Sequence, residues 1–382
     1  MYSVKLMHTK VVKLDATKAN IAKIKEAATM VDAGGLVAFP TETVYGIACR
    51  VRQDSLQKLD NLKGNRLDKH YTLHICQTHD VTKYVPTVGI RAKKLIKNVW
   101  PGPLTIVFPL NEQDLYKQQK NLKREVFEGL YKNSSIGIRC PDNPIASILL
   151  RLTHNPVVAP SANITSQEPP VEPEQVLAQL SDQIELLLDA GPCKYKKSST
   201  VVKVGMKKLE ILRPGVYSQT ELEELSTIRF LFVCTGNTCR SAMAEGICRK
   251  YLAEKLECNI DELDKTGYKV SSAGVMDITG APASTEAIAA CEAMGINITT
   301  HKSKVLTPQL IKESDFIFAM EQVHYNHITA MCPDAQGKCM LLAENQNIAD
   351  PICQKQDIFN DCAALIEIAI KKRINELLIH SL

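Results

Sequence analysis

Two α/β domains in series are the architecture the sequence predicts, and three observations carry that expectation. Short β-rich runs alternate with helical stretches through the first half; a polar segment, Tyr217 to Thr227, follows the turn Arg213-Pro214-Gly215; and a fresh strand, loop and helix begin at Ile228. The 382 residues exceed what one hydrophobic core ordinarily serves, which agrees with a division. The expected boundaries are 1–216 for the first domain, 217–227 for a linker or linker helix and 228–382 for the second domain.

The first domain opens with helical spacing over Ile21 to Val31, then a strand at Val37-Ala38-Phe39 that stops at Pro40. Thr105-Ile106-Val107-Phe108 repeats the strand pattern behind Trp100-Pro101-Gly102-Pro103. Further β-rich runs stand at Ile136-Gly137-Ile138, Val157-Val158-Ala159, Thr200-Val201-Val202 and Leu209-Glu210-Ile211. The second domain begins with the buried-type strand Ile228 to Val233. A loop follows, then a helix that aligns Ala244, Ile247, Cys248, Tyr251 and Leu252 on one face. A domain that opens strand, loop, helix implies a doubly wound parallel sheet.

Composition narrows the function classes. Hydrophobic residues make up 45% and charged residues 23%, as in a globular protein. Forty-six Lys and Arg against 42 Asp and Glu give +4, too little to argue for nucleic acid by itself. The 13 cysteines include no Cys-x-x-Cys pair and no zinc-type spacing, which favours reduced thiols in a cytosol over a disulfide framework. Residues 1–10 lack the apolar core of a signal peptide, and no run of about 18 apolar residues suggests a membrane span.

The chemistry concentrates in Cys234-Thr235-Gly236-Asn237-Thr238-Cys239-Arg240-Ser241, the loop between that strand and that helix. Backbone N–H groups at a helix N-terminus cradle an anion, and the same field favours thiolate at Cys234. Gly236 lets the backbone curl toward a phosphate, and Asn237 can hold the loop by side-chain hydrogen bonds. Arg240 offers a planar fork for two phosphoryl oxygens, and Ser241 adds a hydroxyl. Cys239 stands close enough in the loop to capture an oxidised nucleophile as a disulfide. These residues resemble the loop of the low-molecular-weight protein tyrosine phosphatase family, and the resemblance spans 228–382. Ser272-Ala273-Gly274, His301, Ser303, Asp315 and Met320 resemble its later landmarks. The family's acid lies in an Asp-Pro pair, which assigns proton donation to Asp350 before Pro351. Where the family often has aromatic residues after that proline, this chain has Ile352 and Cys353. Thr238 resembles the arginine-directed branch, whereas tyrosine-directed members carry an apolar residue there.

The first domain offers strand-end cations and small donors suited to an anionic nucleotide. They are Pro40-Thr41-Glu42-Thr43-Val44-Tyr45-Gly46, the basic cluster Lys63, Arg66, Lys69 and His70, then Arg139, Pro160-Ser161-Ala162-Asn163, Ser198-Ser199-Thr200 and Arg213-Pro214-Gly215. Their order resembles the YrdC-like threonylcarbamoyl-adenylate synthases over residues 19–216, with a twisted open α/β sheet as the implied fold. That family joins L-threonine, bicarbonate and ATP into threonylcarbamoyl-AMP for tRNA modification and releases pyrophosphate. By this resemblance Thr41, Thr43, Arg139, Ser161 and Ser199 line a threonine site. Lys63, Arg66, Ser135, Asn163 and Arg213 hold ATP, with magnesium. Two departures, Asn65 ahead of a displaced Arg66 and Lys203 after the Ser-Thr-Val-Val run, resemble the YciO-like branch.

The resulting expectation is a cytoplasmic bifunctional enzyme, a nucleotidyltransferase and a cofactor-free cysteine phosphatase acting on phosphoarginine or phosphotyrosine. tRNA or tRNA-modification proteins are the implied further partners, and no membrane is. A second reading is a non-catalytic nucleotide- or RNA-binding module that delivers an active phosphatase. A third is arsenate reduction by the thiolate.

Overall fold

The structure is a computed structural model, and it describes residues 8–15, 20–64, 71–344 and 346–379. The chain separates into two compact units, 1–225 and 226–381. The polar segment after Gly215 folds as the helix Gln219–Ser226, and Asn98 Nδ2 donates to the Leu225 carbonyl at 2.9 Å, which ties most of that helix to the first unit.

Among the described residues ten strands make the sheet of the first unit: β1 Lys10–Lys13, β2 Val37–Phe39, β3 Gly46–Arg50, β4 Thr72–His74, β5 Leu104–Pro109, β6 Ser135–Arg139, β7 Val157–Val158, β8 Leu186–Asp189, β9 Thr200–Val204 and β10 Leu209–Arg213. Their spatial order is β1-β8-β2-β3-β7-β4-β6-β5-β9-β10, with parallel and antiparallel neighbours mixed. Both faces are covered. Val37, Phe39 and Ala48 pack into one core with the helix Ile21–Asp32, whereas Ala38, Ile47 and Cys49 pack into the other. Because β2 and β3 are buried on both sides, they read in sequence as apolar runs without alternation.

The second unit holds a parallel sheet of β11 Ile228–Cys234, β12 Tyr268–Gly274, β13 Phe316–Ala319 and β14 Cys339–Leu341, in the order β12-β11-β13-β14. β11 lies where the order reverses, and a crevice at that switch point, outside the carboxyl ends of the strands, is where such sheets bind ligands. The helix Arg240–Lys255 follows directly, and Ala244, Ile247, Cys248, Tyr251 and Leu252 are all buried on it, the face the sequence marked. Among the described residues no helix is long and apolar enough to cross a membrane.

Candidate active sites

In the first unit, strand ends and turns converge on one polar pocket lined by Thr41, His74, Arg139, Ser161, Ser199 and Arg213, among others. Arg139 closes β6 and is buried with Glu42 beside it, Nη2 donating to Glu42 Oε1 at 2.7 Å and to Thr43 Oγ1 at 2.7 Å. Thr41 and Thr43 share a hydroxyl–hydroxyl contact of 2.9 Å. Two buried polar atoms here have no partner among the described residues, Arg139 Nε and Glu42 Oε2. A guanidinium with an unused donor in a pocket of hydroxyls is suited to an anion.

Opposite, Ser199 Oγ lies 3.2 Å from Thr105 Oγ1 and accepts from Arg213 Nη2 at 2.9 Å. Gly215 makes this approach possible. A Cβ there would come within 2.3 Å of the Thr200 nitrogen and 2.5 Å of the Ser198 carbonyl, so only glycine lets the Arg213 turn pack on that strand. His74 is a site residue that the sequence did not single out. Its Nδ1 meets the Thr72 carbonyl at 3.1 Å, and burial, then the Arg139 charge, pushes its pKa down to about 3. Glu42, read only as part of a motif, is the other.

Three residues expected to hold ATP are placed elsewhere. Lys63 is fully buried, its ammonium donating to the Ser161 and Asn163 carbonyls and, at 3.0 Å, to Asn163 Oδ1. Asn163 spends its remaining donors on the Ile164 and Gln167 carbonyls, at 2.9 and 2.6 Å. Together they shape the Ser161 turn from behind and do not line the pocket. Ser135 begins β6 while Arg139 ends it, four residues or about 13 Å away along a strand, and its hydroxyl is bonded to the Lys132 carbonyl. Arg66, Asn65, Lys69 and His70 lie outside the described residues. The donor set does not fit a resident magnesium: no cluster of three His, Cys, Asp or Glu exists among the described residues, and Glu42, with one oxygen on Arg139, offers a single carboxylate oxygen.

In the second unit the loop 234–241 is a closed network. Cys234 Sγ lies 3.0 Å from Ser241 Oγ and accepts the Asn237 backbone N–H at 3.3 Å. Asn237 Nδ2 donates to Ser241 and Ser272 hydroxyls, both at 2.8 Å, and its Oδ1 accepts from the Lys304 backbone at 2.8 Å. Asn237 rather than Gly236 takes the left-handed turn, at φ 56°. The glycine on which close approach depends is Gly274, where a Cβ would stand 2.8 Å from the Thr235 carbonyl and 3.0 Å from the Asn237 nitrogen. Of the later landmarks, Ser272 thus braces the loop, His301 Nε2 meets the Asn237 carbonyl at 2.7 Å, and Asp315 accepts the Arg229 backbone N–H at 2.8 Å.

Arg240 is buried. Its Nη1 donates to Glu321 Oε2 at 2.6 Å and to the Ile348 carbonyl at 2.9 Å, and Nη2 donates to Thr235 Oγ1 at 3.1 Å and to Asp350 Oδ2. Its Nε has no partner among the described residues, as at Arg139. Asp350 is therefore brought to the loop from more than a hundred residues away, as the Asp-Pro pair implied. Glu321 and His324 went unread in the sequence, although their spacing at the start of a helix matches a capping box. Cys239 is buried, which raises its thiol pKa, and donates to Ser284 Oγ at 3.5 Å. Thr238 is half-buried and among the described residues its hydroxyl meets only the Cys239 sulfur, at 3.7 Å, while Ile352 is exposed.

Comparison with known proteins places both units. A family model described as Sua5/yciO/yrdC, telomere recombination, matches residues 29–215, and one described as low molecular weight phosphotyrosine protein phosphatase matches 229–379. A threonylcarbamoyl-AMP synthase of Pyrococcus abyssi is 30% identical over 65% of this chain and 71% of its own length. One of Bacillus subtilis is 33% identical, but this chain spans only 58% of it. The low molecular weight protein-tyrosine-phosphatase Etp of Escherichia coli is 33% identical over 38% of this chain and 92% of its own. The solved P. abyssi Sua5 complexed with L-threonine superposes with a TM-score of 0.50 at 22% identity, covering 70% of this chain and 92% of that one, a likeness of fold.

Proposed function

The chain belongs, through its first unit, to the Sua5/YciO/YrdC family and, through its second, to the low-molecular-weight phosphatases, and from that premise we propose that it is a bifunctional enzyme. The observation that supports both halves is a buried arginine in each unit, Arg139 and Arg240, with Nε left without an acceptor among the described residues, beside a set of hydroxyls.

In the first unit Arg139 receives the carboxylate of L-threonine, with Thr41, Thr43, Ser161 and Ser199 around it and Arg213 beside the nucleotide. The threonine amine and bicarbonate condense to a carbamate with loss of water; a carbamate oxygen then attacks the α-phosphorus of ATP, a P–O bond forms, and the bond to the bridging oxygen breaks as pyrophosphate leaves. A magnesium ion brought by the nucleotide would neutralise phosphate charge.

In the second unit the Cys234 thiolate attacks phosphorus, the bond from phosphorus to the leaving atom breaks, and Asp350 gives that atom a proton. Water then attacks the phosphocysteine, releasing phosphate and the thiolate. Thr238 supports phosphoarginine over phosphotyrosine as substrate. Its hydroxyl is free of oxygen and nitrogen partners among the described residues and can meet a guanidinium N–H, and the exposed Ile352 offers no ring to stack on a tyrosyl group. Assay of both phosphopeptides tests this. Thr238→Ile is expected to shift the ratio toward phosphotyrosine by about the worth of one hydrogen bond, several-fold; a wild type that favours phosphotyrosine together with an unchanged ratio in the variant contradicts it. Peroxide converts Cys234 to a sulfenic acid, and Cys239 condenses with it to a disulfide and water. Recovery by thiol reductants that is as full in Cys239→Ser as in the wild type contradicts that step.

A further inference from the structure

Thr235 follows the nucleophile, and its hydroxyl oxygen is met from two sides. Arg240 Nη2 donates to it at 3.1 Å, and His324 Nε2 lies 2.9 Å away. The other end of the imidazole settles which of Thr235 and His324 donates. The Glu321 backbone N–H donates to His324 Nδ1 at 3.1 Å, one half of the capping box that starts the helix Gln322–Met331. A ring nitrogen that accepts cannot carry the proton of a neutral imidazole, so the proton is on Nε2. Burial, reinforced by the Arg240 charge, holds His324 down to about 4, and the ring is neutral at pH 7. Nε2–H therefore donates to Thr235. The Glu321 carboxylate, 3.9 Å from Nε2, is too far to compete.

A hydroxyl has two lone pairs and one hydrogen. With His324 and Arg240 occupying the lone pairs, the Thr235 hydrogen has no acceptor among the described residues. The same Arg240 Nη2 also meets Asp350. The arm that grips phosphoryl oxygens thus joins this hydroxyl to the acid that serves the leaving atom. We propose that Thr235 is a substrate-contacting donor to a phosphoryl oxygen, and that His324 is the positioning residue that commits its hydrogen to that direction. The inference rests on the phosphatase reading of this loop.

Steady-state kinetics of the full chain on an aryl phosphate test it, with Thr235→Val, Thr235→Ser, His324→Leu and the double variant Thr235→Val/His324→Leu. Valine keeps the shape and removes the hydroxyl. It is expected to lower kcat about ten-fold, one hydrogen bond to a charged group, whereas serine stays within about three-fold of wild type. His324→Leu should lose as much as Thr235→Val, and the double variant no more than either, because the imidazole acts only through that hydroxyl. The valine and serine pair leaves the helix cap intact, so that pair decides the role of Thr235 whatever His324→Leu does to folding. His324→Gln, which keeps an acceptor and a donor on one side chain, is expected to restore part of the loss. Thr235→Val turning over like wild type overturns the proposal, and additive losses in the double variant overturn the part given to His324. A wild type inert toward the aryl phosphate, or an active Cys234→Ser, would instead bring down the phosphatase reading itself.

Discussion

Arg139 and Arg240 occupy matching situations in two separate sheets. Each is buried at the end of secondary structure, each is paired with a carboxylate, each leaves Nε without an acceptor among the described residues, and each stands beside a histidine that burial keeps neutral. They differ in where their surroundings come from. Around Arg240 the nucleophile, the amides and the hydroxyl lie within 234–241, and Glu321, His324, Ile348 and Asp350 arrive from afar to complete them. Around Arg139 the turn 41–43 supplies two hydroxyls and a carboxylate, and His74, Ser161, Ser199 and Arg213 come singly, each from a different segment. A site carried by one loop depends on local backbone geometry; a site assembled from strand ends depends on the whole sheet.

The sharpest way to break the comparison is to remove one anchor at a time. Cys234→Ser is expected to abolish aryl phosphate hydrolysis and leave threonine-dependent pyrophosphate release as it was, while Arg139→Ala does the converse. Loss of both activities from either change would show that the sites are not independent. Next in size, Asp350→Asn should slow phosphate ester hydrolysis roughly 10²–10⁴-fold, the usual range for a positioned acid, and a pH–rate profile should lose its alkaline limb.

The pairing of Glu42 with Arg139 sets a third test, on stability. Glu42→Ala strands a buried guanidinium and should destabilise the first unit by about 3–5 kcal/mol in urea unfolding. An effect below about 1 kcal/mol would place that pair in contact with solvent. The smallest expected effect is on pH dependence. His324 falls from its ordinary 6.5 to about 4 in the folded chain, so between those values the unfolded chain binds a proton the folded chain does not. Stability of the second unit should then decline as pH falls through that window, by at most about 1.4 kcal/mol per pH unit, and His324→Gln should flatten the slope. His74 acts in the same sense in the first unit, down to about 3.

The same contrast explains what was legible in the sequence. The loop 234–241 could be read residue by residue because its chemistry is contiguous, and Asp350 because a proline follows it. Lys63 and Asn163 could not be told from ligand-binding groups, since a lysine that bonds buried carbonyls looks in sequence like one that awaits phosphate. Glu42 and His74 are chosen by distance to Arg139, which no spacing encodes. Among the strands of the first unit β1, β3, β4 and β8 escaped because runs of three to five residues are too short to show a period of two. The left-handed turn fell on Asn237 because its side chain has three hydrogen bonds to make there, an advantage glycine lacks.

The product formed from ATP, L-threonine and radiolabelled bicarbonate tests the bifunctional reading most directly, with Cys234→Ser as the enzyme so that no phosphatase activity consumes what is made. A labelled threonylcarbamoyl adenylate that appears with one pyrophosphate per turnover, and that is absent with Arg139→Ala, is the expected result. Label that never enters an adenylate, under conditions where a related synthase succeeds and this chain still binds ATP, would make the first unit a binding module and contradict the reading.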